Sequence, residues 1–375
     1  MRTLAALVGT AVITAMLWDA FETIILPHRV RRKFRLARLF YYCTWRPLAR
    51  TLYAITSETR TENLLSYYGP ISVLLLLFIW AGGLISGFAL LHYAAGSALY
   101  FREETPRLAT DLYFSGTNFF TLGLGDIYPR TVLARILTVL EAGMGFGFLA
   151  LIIGYLPALN QSFSRREINI SMLDEQAGSP STASEMIRRN VAEGTIDDLQ
   201  RLLADWEQWS AELLESHLSY PFLAYFRSHH ENQSWLEALT TILDTSALLC
   251  SILEGGSRRQ AWMTFAIARH TVFDLSTAFS ISPAEPDRDR LPPADLAKLT
   301  AMLAASGFKF QAVPEAHQRL SEFRRMYEPY AFSLARYFCV DVPPWIGEEH
   351  GPDNWEHGAW ELGRGRRPAH PGRHF

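Results

Sequence analysis

The sequence predicts an all-α membrane protein followed by a charged, helical domain. Three observations carry that reading. Up to about residue 160 the 375-residue chain holds three long apolar stretches. A fourth, shorter apolar stretch rich in Gly, Thr and Phe lies between the second and third. Beyond residue 160 the pattern is polar and helical, with loops marked by Pro221, Pro283, Pro286, Pro292 and Pro293. The formal net charge of −3 gives no reason to expect a nucleic-acid partner. Cys43, Cys250 and Cys339 are widely spaced and suggest neither a disulfide framework nor a zinc site.

The expected organisation is an N-terminal span at 1–27, a basic amphipathic linker at 28–67 and a pore-like unit at 68–160. A connector at 161–183, a helical domain at 184–345 and a tail at 346–375 expected to be disordered follow. The three spans, Thr3–Leu26, Tyr68–Ala94 and Val132–Leu159, each reach the roughly 20 apolar residues a membrane helix needs. Segment one is not read as a signal peptide, because only Arg2 precedes the apolar run and a dense basic cluster follows it. The first connection carries Arg29, Arg31, Arg32, Lys33, Arg35, Arg38, Arg46, Arg50 and Arg60. The second carries only Arg102, Arg107 and Arg130. By the positive-inside rule the expected placement is the cell membrane, N-terminus outside and everything after Leu159 in the cytoplasm. Phe34, Leu39, Phe40, Tyr41, Tyr42 and Trp45 interleave with the first connection's charges. They suggest a helix lying on the anionic inner leaflet over 29–50, a solvated basic loop being the alternative. Asp19 and Glu22, in the cytoplasmic half of segment one, are expected to pair with the basic run after Pro27, snorkelling being the alternative.

Residues 108–131, LATDLYFSGTNFFTLGLGDIYPRT, are too short for a span with two loops and too apolar for an exposed loop. A short helix ending near Phe120 and an extended return fit. Such non-helical backbone survives at membrane depth only when buried in protein or lining an ion path. In Thr121-Leu122-Gly123-Leu124-Gly125-Asp126, the glycines two apart permit alternating ordinary and left-handed backbone. That alternation turns successive carbonyls toward one axis, where they can replace an ion's water. Thr121 adds a hydroxyl, Asp126 a carboxylate at the outer mouth, and the short helix its C-terminal dipole.

This hexapeptide, between two spans of the right polarity, resembles the potassium-channel signature Thr-Val-Gly-Tyr-Gly. The chain over 68–160 is similar to the two-transmembrane-type pore family of prokaryotic potassium channels. The resemblance implies an outer helix, pore helix, filter and inner helix, assembled as a homotetramer with potassium as permeant ion and no cofactor. Leu124 departs from the usual aromatic, which leaves a weakly selective cation channel as an alternative. Thr117 stands where some members carry a glutamate bracing the Asp, so Asp126 needs another partner. A non-conducting membrane receptor or scaffold is the reading from another class.

The third span holds Gly143, Gly145 and Gly147. In the family a glycine about 20 residues past the last filter glycine acts as a gating hinge, and Gly145 has that offset. Close helix packing through Gly143 and Gly147 is the competing reading. Phe146, Leu149 and Ile153 share one helical face and are the expected cavity lining. Pro157 should loosen or end the helix. Glu141 lies off the cavity face and is expected behind the short helix with a hydrogen-bond partner, a pore-lining cation site being the alternative.

In the second half Thr195 with Asp198, and Ser234 with Glu237, read as helix starts. Gly255-Gly256 reads as a helix end. Further helices are expected at 258–279, 293–306 and 315–338. Trp206, Trp209, Trp235 and Trp262 read as core. No strand–Gly-x-Gly-x-x-Gly–helix run suggests a dinucleotide-binding domain. His229, His230 and His270 lack metal-like company. No catalytic constellation is recognisable, and an enzyme is not expected.

Overall fold

A computed structural model describes residues 1–26, 35–96, 99–100, 108–192, 196–228, 233–252, 255–286, 288–305 and 314–347. Arg29, Arg31, Arg32, Lys33, Phe34, Arg102, Arg107, Thr195, His229, His230 and residues 348–375 of the tail lie outside them. The described chain is nearly all helical and divides into two units, Met1–Phe163 with Leu218–Phe226, and Ser164–His217 with Arg227–Phe375.

The first unit is built on α1 (Arg2–Ile24), α2 (Leu36–Ile55), α3 (Glu58–Ala94), α4 (Leu108–Phe119) and the beginning of α5 (Val132–Ala177). Two-residue strands β1 (Leu99–Tyr100) and β2 (Tyr128–Pro129) pair antiparallel, Tyr100 opposite Tyr128. α1 and α3 approach closely through small residues. A Cβ on Gly9 would stand 2.7 Å from the Gly87 carbonyl oxygen, and one on Gly87 would stand 2.6 Å from Ile13 Cγ1. Without a hydrophobic drive between helices in lipid, this backbone approach is what van der Waals association uses. Ile13, Ala81, Leu84, Phe88 and Phe119 form the core there.

α2 is anchored at its start and along its inner face. The backbone N–H groups of Leu36 and Ala37 donate to Asp19 Oδ1 at 2.8 Å and Oδ2 at 3.2 Å, so Asp19 supplies the acceptor that unpaired helix-start donors need. Trp80 Nε1 donates to the same carboxylate at 2.9 Å. Asp19 therefore caps a helix, correcting the expected pairing with the basic run. Glu22 does pair, with Arg35 at 3.8 Å. Tyr41 and Trp45 also differ from expectation. They are buried in protein, Tyr41 stacked on Tyr225 at 4.4 Å and Trp45 tilted against Tyr68 at 4.9 Å. Their aromatic surface is used by α3 and the 3-10 turn Pro221–Tyr225, which explains why Leu218–Phe226 joins this unit and not the second. Leu39, Tyr42 and Tyr53 keep the exposed face of α2.

α5 runs unbroken through Pro157, so the expected helix end and the first seventeen residues of the expected connector (161–177) are helical instead. The missing N–H costs on the order of 3 kcal/mol. Burial of Tyr155 and Leu159 on either side, with Tyr155 against Tyr220 at 5.4 Å, offsets it.

The second unit holds the end of α5, α6 (Ala183–Ala192), α7 (Ile196–Ser219, up to His217), α8 (Trp235–Ile252), α9 (Gly255–Phe279), α10 (Pro293–Ala305) and α11 (Pro314–Phe338). α8 is the centre, with every residue from Trp235 to Ser251 buried. It is one of four described helices long and apolar enough to cross a membrane, yet 94% of its apolar window is covered by the fold. Ser234 Oγ accepts the Glu237 N–H at 3.0 Å, as the capping pattern predicts. Gly255 and Gly256 open α9 and do not close α8. Trp206, Trp209 and Trp235 are core, but Trp262 is 51% exposed, lying over Phe323 at 5.9 Å.

Asp244, at the middle of α8, receives Arg290 Nη1 at 3.1 Å and Nη2 at 2.5 Å, as well as Tyr327 OH. Arg290 also reaches Glu328 at 3.2 Å and the Pro343 carbonyl. Burial pushes the Asp244 and Glu328 carboxyls up, against the pull of the arginines beside them. Removing one member strands the others without compensation. Arg290→Met is expected to lower unfolding stability by about 3–5 kcal/mol, read as a denaturation-midpoint shift of the helical unit in the full-length protein.

Candidate functional site: the re-entrant segment

α4 presents its C-terminus to residues 120–126. The last turn tightens, with N–H groups of Phe120, Thr121 and Leu122 donating to the carbonyls of Gly116 (3.1 Å), Asn118 (2.9 Å) and Thr117 (2.8 Å). Thr117 Oγ1 donates to its own helix at the Phe114 carbonyl, 2.8 Å away, which explains why it braces nothing beyond. The backbone then alternates. Thr121, Gly123 and Gly125 have φ of +55°, +55° and +76°, whereas Leu122 and Leu124 are not left-handed. The glycines adopt this without steric cost. Thr121 does so against its β-branch, the kind of local strain that collects at working sites. A run of left-handed residues every second position brings consecutive carbonyls to one side of the chain.

Asp126 has the partner its sequence context left open. Tyr113 OH donates to Asp126 Oδ2 at 2.9 Å, tying α4 to the segment's far end. Sequence reasoning missed this bond. The signal was a tyrosine, not a phenylalanine, on an otherwise apolar face 13 residues earlier. Tyr113→Phe is expected to leave the fold intact and to destabilise the Asp126 end by about 1 kcal/mol, read as faster hydrogen exchange over 122–128.

α5 packs behind. A Cβ on Gly145 would overlap the Phe119 carbonyl oxygen, whereas one on Gly143 or Gly147 meets nothing within 4 Å. The packing contact within the chain is made by Gly145, the glycine at the family's hinge offset. Gly145 is the close-packing glycine, Gly143 and Gly147 face open space, and α5 passes all three as continuous helix. Phe146, Leu149 and Ile153 are 67%, 53% and 65% exposed on one face. Glu141 is fully buried behind α4, hydrogen-bonded to Ser115 and 3.5 Å from His92 Nε2. Its position is as expected from sequence, but neither partner was foreseen. No group of three or more metal-ligating side chains occurs among the described residues.

Residues 87–161 match the family described as Ion channel. The chain is thus a nearly all-helical membrane protein whose residues 87–161 are similar to an ion-channel pore domain. The chain is 26% identical over 186 residues to the "Uncharacterized membrane protein YdjJ" of Bacillus subtilis (strain 168). The aligned region covers 48% of this chain and 52% of that relative, so the chain spans about half the length of the curated relative it matches. No solved structure matches.

Proposed function

We propose that the chain is one subunit of a homotetrameric, potassium-selective channel, with Thr121 to Gly125 as filter and Asp126 at its outer mouth. One observation carries this reading, the alternation of left-handed backbone at Thr121, Gly123 and Gly125. Desolvating a potassium ion demands replacement oxygens, and four such strands facing an axis provide them from main-chain carbonyls. The surface left on one chain supports the tetramer. Phe120, Leu122, Leu124, Val139, Phe146 and Ile153 are large, apolar and exposed, which is the composition of a subunit contact and a cavity wall. Phe146, Leu149 and Ile153 line the cavity in this reading. The N-terminus lies outside and the helical unit in the cytoplasm, because the lysines and arginines crowd the first connection. The exposed face of α2, with Arg46 over the Tyr42 ring at 5.2 Å, rests on the anionic inner leaflet.

Reconstituted liposomes test the proposal through potassium influx, its block by barium, and the reversal potential with sodium against potassium. Flux that is absent from a fourfold assembly sinks it. Leu124 favours a second reading of low selectivity, since a leucine offers no hydrogen bond to brace the filter. A reversal potential near zero under bi-ionic conditions selects that reading.

A further inference from the structure

A sealed polar cluster joins the three helices around the re-entrant segment, and nothing in ion conduction as described uses it. Ser115 on α4 lies 2.9 Å from the Ile85 carbonyl of α3 and is also hydrogen-bonded to Glu141 Oε1 of α5. Glu141 Oε2 faces His92 Nε2 of α3 at 3.5 Å, and all three side chains are buried. The His92 ring meets Phe114 edge-on at 5.1 Å, and its Nδ1 has no hydrogen-bond partner among the described residues.

Proton counting decides how this cluster is bonded. A serine hydroxyl has one hydrogen, and a backbone carbonyl has none to give. Ser115 can bond both Ile85 and Glu141 only when the second hydrogen comes from Glu141. The chain of donation then runs from the Glu141 acid to Ser115 Oγ, and from Ser115 to the Ile85 carbonyl. A carboxylate at this position reverses one link. Ser115 must either turn to Glu141 and leave the Ile85 carbonyl, or keep that carbonyl and leave a buried charge without its donor. An ionised group at membrane depth is costly in either case.

We propose that Glu141 is a positioning residue that, as a neutral acid, latches the pore helix to the outer helix through Ser115, and that losing its proton to His92 or to solvent releases the latch and lowers conduction. This rests on the channel reading above. Ser115 is six residues before Thr121, so the latch holds the helix whose end sets the filter. The neighbouring titratable groups are few among the described residues. α3 contributes His92. α4 contributes buried Asp111, one turn before Ser115. α1 brings Arg2 only to Gly96, its Nη1 3.5 Å from where a Cβ there would stand.

The test uses the full chain in liposomes, comparing wild type, Glu141→Gln and Ser115→Ala across pH. The amide introduced by Glu141→Gln can donate to Ser115 as the acid does, but it has no proton to lose. Wild-type flux is expected to fall as pH rises, Glu141→Gln to conduct with that dependence lost, and Ser115→Ala to conduct less with the dependence also lost. A Glu141→Gln channel that keeps the wild-type pH profile overturns the inference and leaves the channel reading standing. Infrared difference spectra separate the two questions without flux. A protonated-carboxyl band in wild type that vanishes in Glu141→Gln, or shifts in Ser115→Ala should the first variant not assemble, supports the latch. Its absence from wild type overturns the latch whatever the protein conducts.

Discussion

The largest functional loss is expected from Gly123→Ala or Gly125→Ala, which should abolish potassium flux while leaving membrane insertion and the helical unit unchanged. The reason is backbone conformation and not space, since a Cβ at either glycine meets nothing within 4 Å in the chain. At φ of +55° and +76° an alanine costs about 1–2 kcal/mol. In the proposed tetramer that cost is multiplied by four, to about 4–8 kcal/mol. The chain can relieve it by leaving the left-handed region, and doing so rotates a carbonyl away from the axis. At about 1.4 kcal/mol per tenfold, a flux loss exceeding roughly a hundredfold is the modest end of the expectation. Liposome flux with a matched measurement of inserted protein checks it, and an alanine variant conducting at the wild-type rate removes the filter assignment.

Gly145→Ala is expected to have the second largest effect, on assembly before conduction. The three nearest atoms to the added Cβ all belong to the Phe119 backbone, the carbonyl oxygen first and the next two at 2.7 and 3.0 Å, so no side chain can swing aside. α4 and α5 must separate, at a cost of about 1–3 kcal/mol or more, as is typical of overpacking. The thermal midpoint of the purified protein should fall, and potassium flux with it. Gly143→Ala and Gly147→Ala meet open space and should be neutral or stabilising by up to about 1 kcal/mol through helix propensity. The contrast separates packing from hinging. A hinge glycine changed to alanine alters open probability at unchanged stability, and that result for Gly145 would support the family-based expectation.

How much of this was readable in advance depends on the range of each interaction. The spans, the short helix before Thr121 and the helices at 258–279 and 315–338 were legible because apolar runs and caps are local properties of the chain. Glycine spacing at 123 and 125 was legible for the same reason, although the left-handed Thr121 was not, since a β-branched residue argues against it. What escaped was long-range. Tyr41 and Trp45 look like lipid-facing aromatics until Tyr225, far along the chain, is known to stack on the first. Asp19 looks like a partner for arginine until α2 begins beside it. Gly145 could be told from Gly143 and Gly147 only by knowing which way α5 is turned toward Phe119. Pro157 failed as a stop because its cost is small beside the burial of the residues flanking it.

The position of Asp244 has a consequence for biosynthesis. α8 offers the membrane-insertion machinery an 18-residue apolar helix in a chain that has already been delivering such helices to it. Its seven leucines and isoleucines favour the bilayer by roughly 2–4 kcal/mol in total on the insertion scale, Asp244 at the helix centre opposes it by about 2.5–3.5 kcal/mol, and Glu237 in the first turn adds to the opposition. The carboxylate that holds Arg290 in the folded unit is thus also the residue that most weakens α8 as a membrane-spanning segment.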